Sequence, residues 1–244
     1  MRTLAGTTFI LLLLIALAGC TKKVATAPSG QTVTGDKAEA INLLQESGTD
    51  LQQLMNTPDV AAPDWVIARA SCMIVIPHMV KGGFVIGAKN GTGVATCRQP
   101  NGGWSAPAFV SITGGTWGPQ IGVQVADMAL AVMNKDGMNA LLDSNLKLGA
   151  HGAVTAGPVG REAQASEGGY AQAGILAYSR TKGLYAGLTL EGAYVRANDN
   201  LNQTYYGRNL RPKAILSGEI PPPQSAQIFL KSLGAASNQA ASNE

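Results

Sequence analysis

The sequence has few of the residue types that build metal sites and nucleotide sites. Its 244 residues include only three cysteines and two histidines. These cysteines and histidines do not follow the spacing of a zinc site. No Gly-Lys dipeptide occurs anywhere in the chain, which excludes a phosphate-binding loop of the Walker type. The sequence therefore predicts neither a metal nor a cofactor.

Recognisable catalytic motifs are also missing. The chain has no GxSxG nucleophile elbow, no HExxH, and no pairing of carboxylates typical of acid–base catalysis. Gly91-Thr92-Gly93 lacks the third glycine of a dinucleotide fingerprint. His78 follows a proline at a strand end, and His151 lies in a Gly-Ala-His-Gly segment, so we interpret both as surface or capped histidines. We expect a protein that is not an enzyme.

Charged residues are scarce, and the two signs nearly balance. The 18 basic and 15 acidic residues give a formal net charge of +3 without any basic cluster. A nucleic-acid partner is therefore not expected. Thirty glycines with few charges favour tight turns and close-packed sheet over disorder.

The N-terminus, in contrast, carries an export signal. A short positive start precedes an apolar run over residues 9–17, which is too short to span a bilayer. Leu17-Ala18-Gly19-Cys20 resembles the lipobox of bacterial lipoproteins, which implies cleavage before Cys20 and acylation of this cysteine. Thr21 follows instead of Asp, which favours anchoring in the outer membrane facing the periplasm. A plain signal peptide with an incidental cysteine is the alternative.

Composition divides the chain into four segments. We interpret residues 1–19 as the signal peptide and 20–35 as a lipidated tether of small polar residues. A flexible tether of this length reaches roughly 20 Å root-mean-square. Residues 36–234 are expected to form one domain, and residues 235–244 a disordered tail.

Helical periodicity is clearest at the start of this domain. Asp36 to Met55 predicts an amphipathic helix whose polar face includes Glu39 and Asp50, with Gly48 marking a close contact. Because that face is acidic, we expect the helix to pack on the sheet and not on a membrane. Further helices are predicted over residues 64–69, 134–142, 198–206 and 211–217, and a last one that ends before Gly234.

Glycine-punctuated β-signals occupy the middle of the chain. We expect a strand over residues 72–76 that Pro77 ends, a strand at 84–86, and a turn at Asn90-Gly91-Thr92-Gly93. Alternation predicts a half-buried strand over 121–125, a central strand over 128–133, and a hairpin that joins 171–180 to 183–195 at residues 181–183. The fold class is α+β: one Gly-rich, mostly antiparallel sheet, curled or barrel-like, with an N-terminal helix and short packing helices.

The two cysteines outside the lipobox segment are Cys72 and Cys97. An oxidising envelope would permit a disulfide between them. Both lie in apolar, strand-like segments, and we expect two buried free thiols.

From about Ile76 to Pro223, short motifs follow one another in an order that carries a family resemblance. They include KGGFVIGA from Lys81, GTGV from Gly91, WSAP from Trp104, AGPVGR from Ala156, YSRTKGL from Tyr178 and AGLTLEG from Ala186. This ordered set resembles the SYLF domain, also called the Ysc84 family. The resemblance implies a lipid-binding module: eukaryotic members associate with phosphoinositides, fungal members with actin assembly, and bacterial members are typically exported lipoproteins. Eukaryotic members use an amphipathic N-terminal helix on membranes, whereas the matching helix here is acidic.

Basic residues within these motifs are the candidate lipid-headgroup site. All are predicted at turns or strand ends, where they would form one patch if those edges converge: Lys81, Lys89, Arg98, Arg180 and Lys182. Scattered, solvated charges are the alternative. Asp127 lies among apolar strand residues and is expected to form a structural pair with Arg161, with a ligand site as the alternative.

Two functional classes follow from these observations. The first is a lipid-anchored module that binds phospholipid headgroups or acyl chains at the membrane. The second is a non-catalytic structural or interaction protein with an envelope protein as its partner. A hydrolase ranks third.

Replacing the lipobox cysteine tests the anchor. Cys20→Ser removes the only thiol that the lipobox offers for acylation, so incorporation of labelled fatty acid should fall to background and the protein should move to the soluble fraction. Metabolic labelling followed by fractionation measures both effects. Persistent label in the variant would show that Cys20 is not the anchor.

Overall fold

The computed structural model describes residues 35–57, 61–117, 122–159, 174–179 and 190–241. Its helices are α1 (Gly35–Asn56), α2 (Asp64–Arg69), α3 (Lys135–Leu142), α4 (Asp199–Tyr206), α5 (Pro212–Leu216) and α6 (Gln227–Ala241), with a 3-10 turn at Gln224–Ala226 before α6. Its strands are β1 (Cys72–Gly83), β2 (Ile86–Cys97), β3 (Ala108–Trp117), β4 (Gly122–Val132), β5 (Leu146–Lys147), β6 (Val154–Ala156), β7 (Ile175–Ser179) and β8 (Tyr194–Ala197).

The described strands form one sheet in the order β5-β8-β3-β2-β1-β4-β7-β6. Neighbouring strands are antiparallel except β6 and β7, which are parallel. The sheet curls into a half-barrel, and β1 lies near its middle between β2 and β4. The predicted α+β fold class is confirmed.

Each face of the sheet has its own apolar cluster. On the α3 face, strand residues such as Ile74 and Leu130 pack with Leu141 of α3 and Ile215 of α5. On the α1 face, Phe109 and neighbouring strand residues pack with residues of α1, α2 and α6 that include Leu44, Ile67 and Phe229. Helices therefore cover both sides of the sheet where it is buried. No helix in the described ranges is long and apolar enough to cross a bilayer.

Strand β1 continues past Pro77 through a β-bulge, so the predicted end of the strand at Pro77 is wrong. Between Ile76 and Met79 the register shifts against β4, and His78 adopts a positive φ of 53°. The His78 backbone N–H donates to Asp127 Oδ1 at 3.1 Å. A bulge leaves a residue outside the hydrogen-bond ladder, so a proline, which has no N–H, is tolerated there.

The Asn-Gly-Thr-Gly segment is strand and not the predicted turn. Residues 90–93 lie inside β2 and pair along β3. A Cβ on Gly91 would lie 2.7 Å from Ile76 Cγ2, and one on Gly93 would overlap the carbonyl oxygen of Val75. These glycines are required because the bulged β1 passes too close to β2 for a side chain. The turn lies instead at Phe84 and Val85, which were predicted as strand.

Two further strand predictions fail. The described parts of the predicted C-terminal hairpin do not pair with each other: β7 pairs with β4 and β6, whereas β8 pairs with β3 and β5. Its predicted turn at residues 181–183 lies outside the described residues. Residues 122–125 are strand but are exposed, so the half-buried face expected there is wrong, whereas the central strand over residues 128–132 is fully buried as expected.

The helices match their predictions more closely. Asn134 and Asn198 cap α3 and α4 by accepting hydrogen bonds from backbone N–H groups three residues on. Asp50 was predicted on the exposed face of α1, yet it is buried. A Cβ on Gly48 would lie 3.2 Å from Ile228 O, which confirms the close contact expected there. Helix α6 continues past Gly234 to Ala241, so the predicted end of the last helix before Gly234 is wrong.

Cys72 and Cys97 form a disulfide, so the expected free thiols are wrong. The two residues are direct partners in the β1–β2 register. A hairpin that turns at Phe84 and Val85 brings them opposite each other. Because the sequence pattern placed the turn at Asn90–Gly93, it could not predict this pairing.

The glycine contact at the bulge can be tested with a matched pair of substitutions. Gly93→Ala forces a methyl group against the β1 backbone, and overpacking of this kind lowers the free energy of unfolding by about 1–3 kcal/mol. Gly115→Ala in β3 meets nothing within 4 Å and should change it by less than about 0.5 kcal/mol. Urea unfolding of both variants measures the difference. Equal stabilities would show that the close approach does not constrain the sheet.

Candidate functional site

Past the bulge, the middle of the sheet extends beyond its packed core. We call this region, residues 80–90 and 122–126, the sheet tip. Burial decreases along β1 towards Gly83 and along β4 towards Gly122. The tip therefore exposes side chains that a buried sheet would cover.

Large apolar side chains are concentrated at the sheet tip. Phe84 is 66% exposed, Ile86 78% and Val123 72%. Val80 and Val125 are direct partners in the β1–β4 register and are 42% and 49% exposed. Strand alternation places these two valines, with Ile86 and Val123, on the α1 face, beyond the reach of its helices. The result is a continuous apolar edge and face at one end of the molecule.

Two lysines lie on the opposite face of the same tip. Lys81 and Lys89 are direct partners in the β1–β2 register, and alternation places both on the α3 face. Lys89 is only 3% exposed, although the pattern predicted it at a turn or strand end. Its aliphatic chain passes over Gly114, where a Cβ would lie 2.8 Å from Lys89 Cε, and its Nζ donates to Glu191 O at 3.2 Å. Lys89 is therefore a buried cation in the middle of a strand.

The surroundings of Lys89 disfavour its charge. Burial lowers the pKa of Lys89, the neighbouring Lys81 lowers this pKa further, and Glu191 raises it. Like charges on directly opposite residues of neighbouring strands destabilise a sheet. The folded environment of Lys89 therefore disfavours its protonated form relative to water.

The structure does not bring Arg98 together with the two lysines. Its guanidinium group donates to Ile67 O at 2.6 Å, to Ala70 O at 3.4 Å and to Gly102 O at 3.1 Å. It also lies 4.3 Å from the centroid of the Trp104 ring, and burial lowers the pKa of Arg98. These hydrogen bonds of Arg98 connect α2 to the loop that follows β2. Arg180 and Lys182, the other two predicted ligands, lie outside the described residues.

Asp127 is buried and contributes to the β1 bulge. It is 7% exposed and accepts the hydrogen bond from the His78 backbone N–H, which helps to hold the positive φ of His78. Its predicted partner Arg161 lies outside the described residues, so the pair stays a prediction. The His78 side chain itself is exposed, in accord with a surface histidine.

A separate polar groove lies beside α3. It has a volume of about 580 Å³, and its lining includes Asn134, Asp136, Asp143, Asn145 and His151. The His151 Nδ1 accepts a hydrogen bond from Lys147 N at 3.0 Å, in accord with the capped histidine predicted there. Among the residues that the structure describes, no group of three or more His, Cys, Asp or Glu side chains is placed to hold a metal ion.

The exposed apolar residues of the tip were missed in the sequence because residues 84–86 were interpreted as a strand and residues 121–125 as a half-buried strand. The signal that could have found them is Gly82-Gly83 immediately before Phe84, since paired glycines at a strand end are typical of a turn. A hairpin centred there makes Phe84 and Val85 the turn and places Ile86 at the start of the next strand.

The fold and the tip define an α+β domain with an amphipathic, projecting sheet end, and comparison with known proteins gives its family. The Ysc84 family, described as "Las17-binding protein actin regulator", matches residues 113–236. The chain belongs to this family, whose domain is also called SYLF.

Curated relatives cover most of this chain. It is 33% identical over 173 residues to "SH3 domain-containing YSC84-like protein 1" of Rattus norvegicus, which covers 70% of this chain and 51% of the relative. The Xenopus laevis protein of that name is 32% identical over 202 residues, 82% of this chain and 59% of the relative. "LAS seventeen-binding protein 3" of Saccharomyces cerevisiae is 33% identical over 186 residues, 74% of this chain and 40% of the relative. The chain thus spans about half the length of the curated relatives it matches.

The cost of the buried lysine can be measured from the pH dependence of stability. Because the pKa of Lys89 is lowered in the folded state, the unfolded chain binds more protons between that pKa and 10.5, and stability should rise with pH in this window. Lys89→Met removes the buried charge, so this rise should shrink and the variant should be at least as stable at neutral pH. Urea unfolding between pH 7 and pH 10 measures both effects.

The matched control is Lys231→Met, which removes an exposed lysine on α6. It should leave both the stability and its pH dependence unchanged. A Lys89→Met variant that is less stable than the parent at pH 7 would show that the buried charge contributes net stability.

Proposed function

We propose that this protein is a non-enzymatic, lipid-anchored module that binds membrane phospholipid through its sheet tip. One observation carries the proposal: the tip presents exposed apolar side chains at its edge and α1 face, with two lysines on its other face. An apolar edge flanked by cations matches the chemistry of a bilayer, where hydrocarbon lies below anionic headgroups.

Insertion would use the two faces differently. Phe84, Ile86 and Val123 are exposed enough to enter the acyl region, and full burial of each such side chain contributes about 1.5–3 kcal/mol. The exposed part of Lys81 would remain at headgroup level, where a cation near an anionic surface contributes about 1 kcal/mol. The apolar part supplies the depth of insertion, and the cationic part supplies the preference for anionic lipid.

Helix α1 is a poor candidate for this contact. Its apolar stripe is buried, with Leu44 0% and Leu51 1% exposed, because it packs on the sheet and α6. Exposed Glu39 and Glu46 on its outer side would be repelled by an anionic surface. This burial favours the tip over the N-terminal helix to which the family resemblance pointed.

The proposed location is the outer membrane, with the domain in the periplasm. The lipobox-like segment that ends at Cys20 and the polar tether after it support the anchor. The disulfide between Cys72 and Cys97 supports an oxidising compartment, because such bonds persist outside the cytosol. An acyl anchor would hold the tip close to the membrane, which raises the effective concentration for a weak lipid contact.

A protein partner is the second candidate function. The names of the yeast and vertebrate relatives refer to Las17 binding and to SH3 domains. An exposed apolar patch rimmed by charge also suits a protein contact. In that case an envelope protein would cover the tip.

Vesicle binding distinguishes the two candidates. The chain from Thr21 onward, which omits the signal peptide and the acylation site, should sediment with phosphatidylglycerol vesicles and more weakly with phosphatidylcholine vesicles. Adding salt should reduce the preference, since the Debye length falls to about 3 Å at 1 M. The double variant Phe84→Ser/Ile86→Ser should bind at least about tenfold more weakly, because both side chains would lose their burial in lipid.

The control is Ile228→Ser, since Ile228 is also exposed, at 39%, but lies on α6 away from the tip. It should bind vesicles as the parent chain does. If the double variant also binds like the parent, lipid contact does not use the tip. If the parent chain binds neither vesicle, the protein-partner function is favoured.

A further inference from the structure

We infer that the α1 face of the sheet tip is a docking surface for a second copy of this chain, with the two tips packed face to face around a two-fold axis. The inference goes beyond the proposed function, because it concerns the chain in solution, away from a bilayer. It depends on the shape, charge and area of this face and not on any lipid contact.

Exposed side chains form a ridge across the α1 face of the tip. In the register of the sheet, Val80 of β1 lies between Val125 of β4 and Asn90 of β2. Asn90 in turn lies opposite Thr113 of β3, and both residues are exposed. Direct partners in neighbouring strands project from the same face of a sheet, so these four side chains stand in one row.

A row of small residues forms a trough beside this ridge. Gly82 of β1 lies opposite Ala88 of β2, and Ala88 lies opposite Gly115 of β3. Because side chains on one face recur every second residue, this row is the next one on the same face towards the hairpin turn. Val123 ends the row on β4, and the exposed Ile86 lies on the far side of the trough. The trough therefore runs between the ridge and Ile86.

Nothing in the described part of the chain requires the two glycines of the trough. A Cβ on Gly115 would meet none of the described atoms within 4 Å, and one on Gly82 would lie 3.5 Å from Val123 Cγ2, an ordinary contact. Neither glycine has a positive φ. Glycine weakens a strand, and in a strand it often marks a site where another chain approaches closely. The recess fits a partner that has side chains of its own, whereas fluid lipid needs no such recess.

The ridge and the trough lie side by side, which makes the surface complementary to itself. A two-fold axis brings the same patch of both copies into contact, so each copy must supply both the projections and the recesses. The ridge of one tip can enter the trough of the other, as side chains interdigitate between sheets packed about 10 Å apart. Charge does not oppose this contact, because the charged residues of the tip, Lys81 and Lys89, project from the other face.

The exposed area of the tip approaches the area that a stable dimer buries. A fully exposed large apolar residue presents about 150–200 Å², so the six that are 42–78% exposed here present roughly 500–700 Å² together: Val80, Phe84, Val85, Ile86, Val123 and Val125. The largest apolar patch of a monomer is typically about 300–600 Å², and a standard interface buries about 800 Å² per partner. Exposed small and polar residues of the same face add to the total, so the tip is large enough for a specific dimer.

Sedimentation velocity of the lipid-free chain from Thr21 onward, which contains every described element of the fold, tests the dimer. The parent should be a dimer at micromolar concentrations. Gly115→Val should weaken dimerisation at least about tenfold, because the added side chain fills the trough. Val80→Ser should weaken it to a similar extent, because each copy loses an apolar side chain of the ridge. The control Ile228→Ser, on α6 away from the tip, should have no effect.

Gly115→Val also distinguishes a shaped interface from unspecific apolar association. Valine favours a strand and adds apolar surface, so unspecific association would increase, whereas a contact that depends on the trough weakens. Circular dichroism shows whether each variant is folded, and Val80→Ser keeps the test decisive if Gly115→Val does not fold. The inference is overturned by a parent chain that remains monomeric, by a dimer that both tip variants leave unchanged, or by stronger association of Gly115→Val.

Phosphatidylglycerol vesicles separate this inference from the proposed function. A chain that dimerises in solution but does not sediment with vesicles supports the dimer and contradicts the membrane contact. A monomer that sediments with vesicles through Phe84 and Ile86 overturns the dimer and leaves the membrane contact in place. A chain that does both should lose its dimer on vesicles, because Ile86 and Val123 cannot pack against lipid and a second copy at once. A dimer that remains intact on vesicles would show that its interface lies elsewhere.

Discussion

The close approach of β1 to β2 at the bulge is the contact on which the rest of the structure depends. At this point the β1 backbone passes directly over Gly91 and Gly93, so neither position has room for a side chain. His78, held at positive φ, donates to Asp127 on the other side of β1. A strand that is bent in this way increases the local twist, so the sheet curls around its core instead of remaining flat. One short segment thus divides the sheet into a packed half and a projecting tip.

The bulge also decides which side chains share a face. Ile74 and Ile76 point to the α3 face, so in an uninterrupted strand every second residue, Val80 included, would follow them. The extra residue of the bulge reverses this order and moves Met79 and Lys81 to the α3 face and Val80 to the α1 face. The lysine pair on one side and the apolar surface on the other both result from this single inserted residue. The shape of the sheet and the chemistry of its tip therefore have the same physical origin.

The sequence predicted the helices better than the sheet, because the signals of a helix are local. The apolar stripe of α1 and the asparagine caps of α3 and α4 lie within a few residues of the helices they define. A glycine in a strand, in contrast, is compatible with a turn, a bulge or a close contact, and only the partner strand decides between them. The misplaced turn at Asn90–Gly93 then concealed the register, and with it the disulfide.

The candidate site residues show the same difference: their residue type could be identified from the sequence, whereas their burial and contacts depend on distant residues. Lys81 and Lys89 were identified as basic residues within the family motifs, but burial of Lys89 depends on Gly114 and on Glu191 O, which are distant in sequence. Arg98 belonged to the same predicted patch, yet its donors reach carbonyl groups of α2 and the residue after it, contacts that no spacing rule reveals. Exposure of Phe84 and Ile86 depends on where the hairpin turns.

The pairing of α1 with α6 joins the beginning of the domain to its end. Gly48 of α1 packs against Phe229 and Ser232 of α6, and the apolar stripe of α1 is covered only when both the sheet and α6 are in place. A ribosome adds about 5–20 residues per second, so α1 waits roughly 10–40 s for its partner. During that interval a newly made chain exposes an unsatisfied apolar helix that a holding chaperone can bind. Helix α6, which covers the apolar stripe of α1, is the last element of the domain to be synthesised. This stripe therefore stays exposed until α6 has been made.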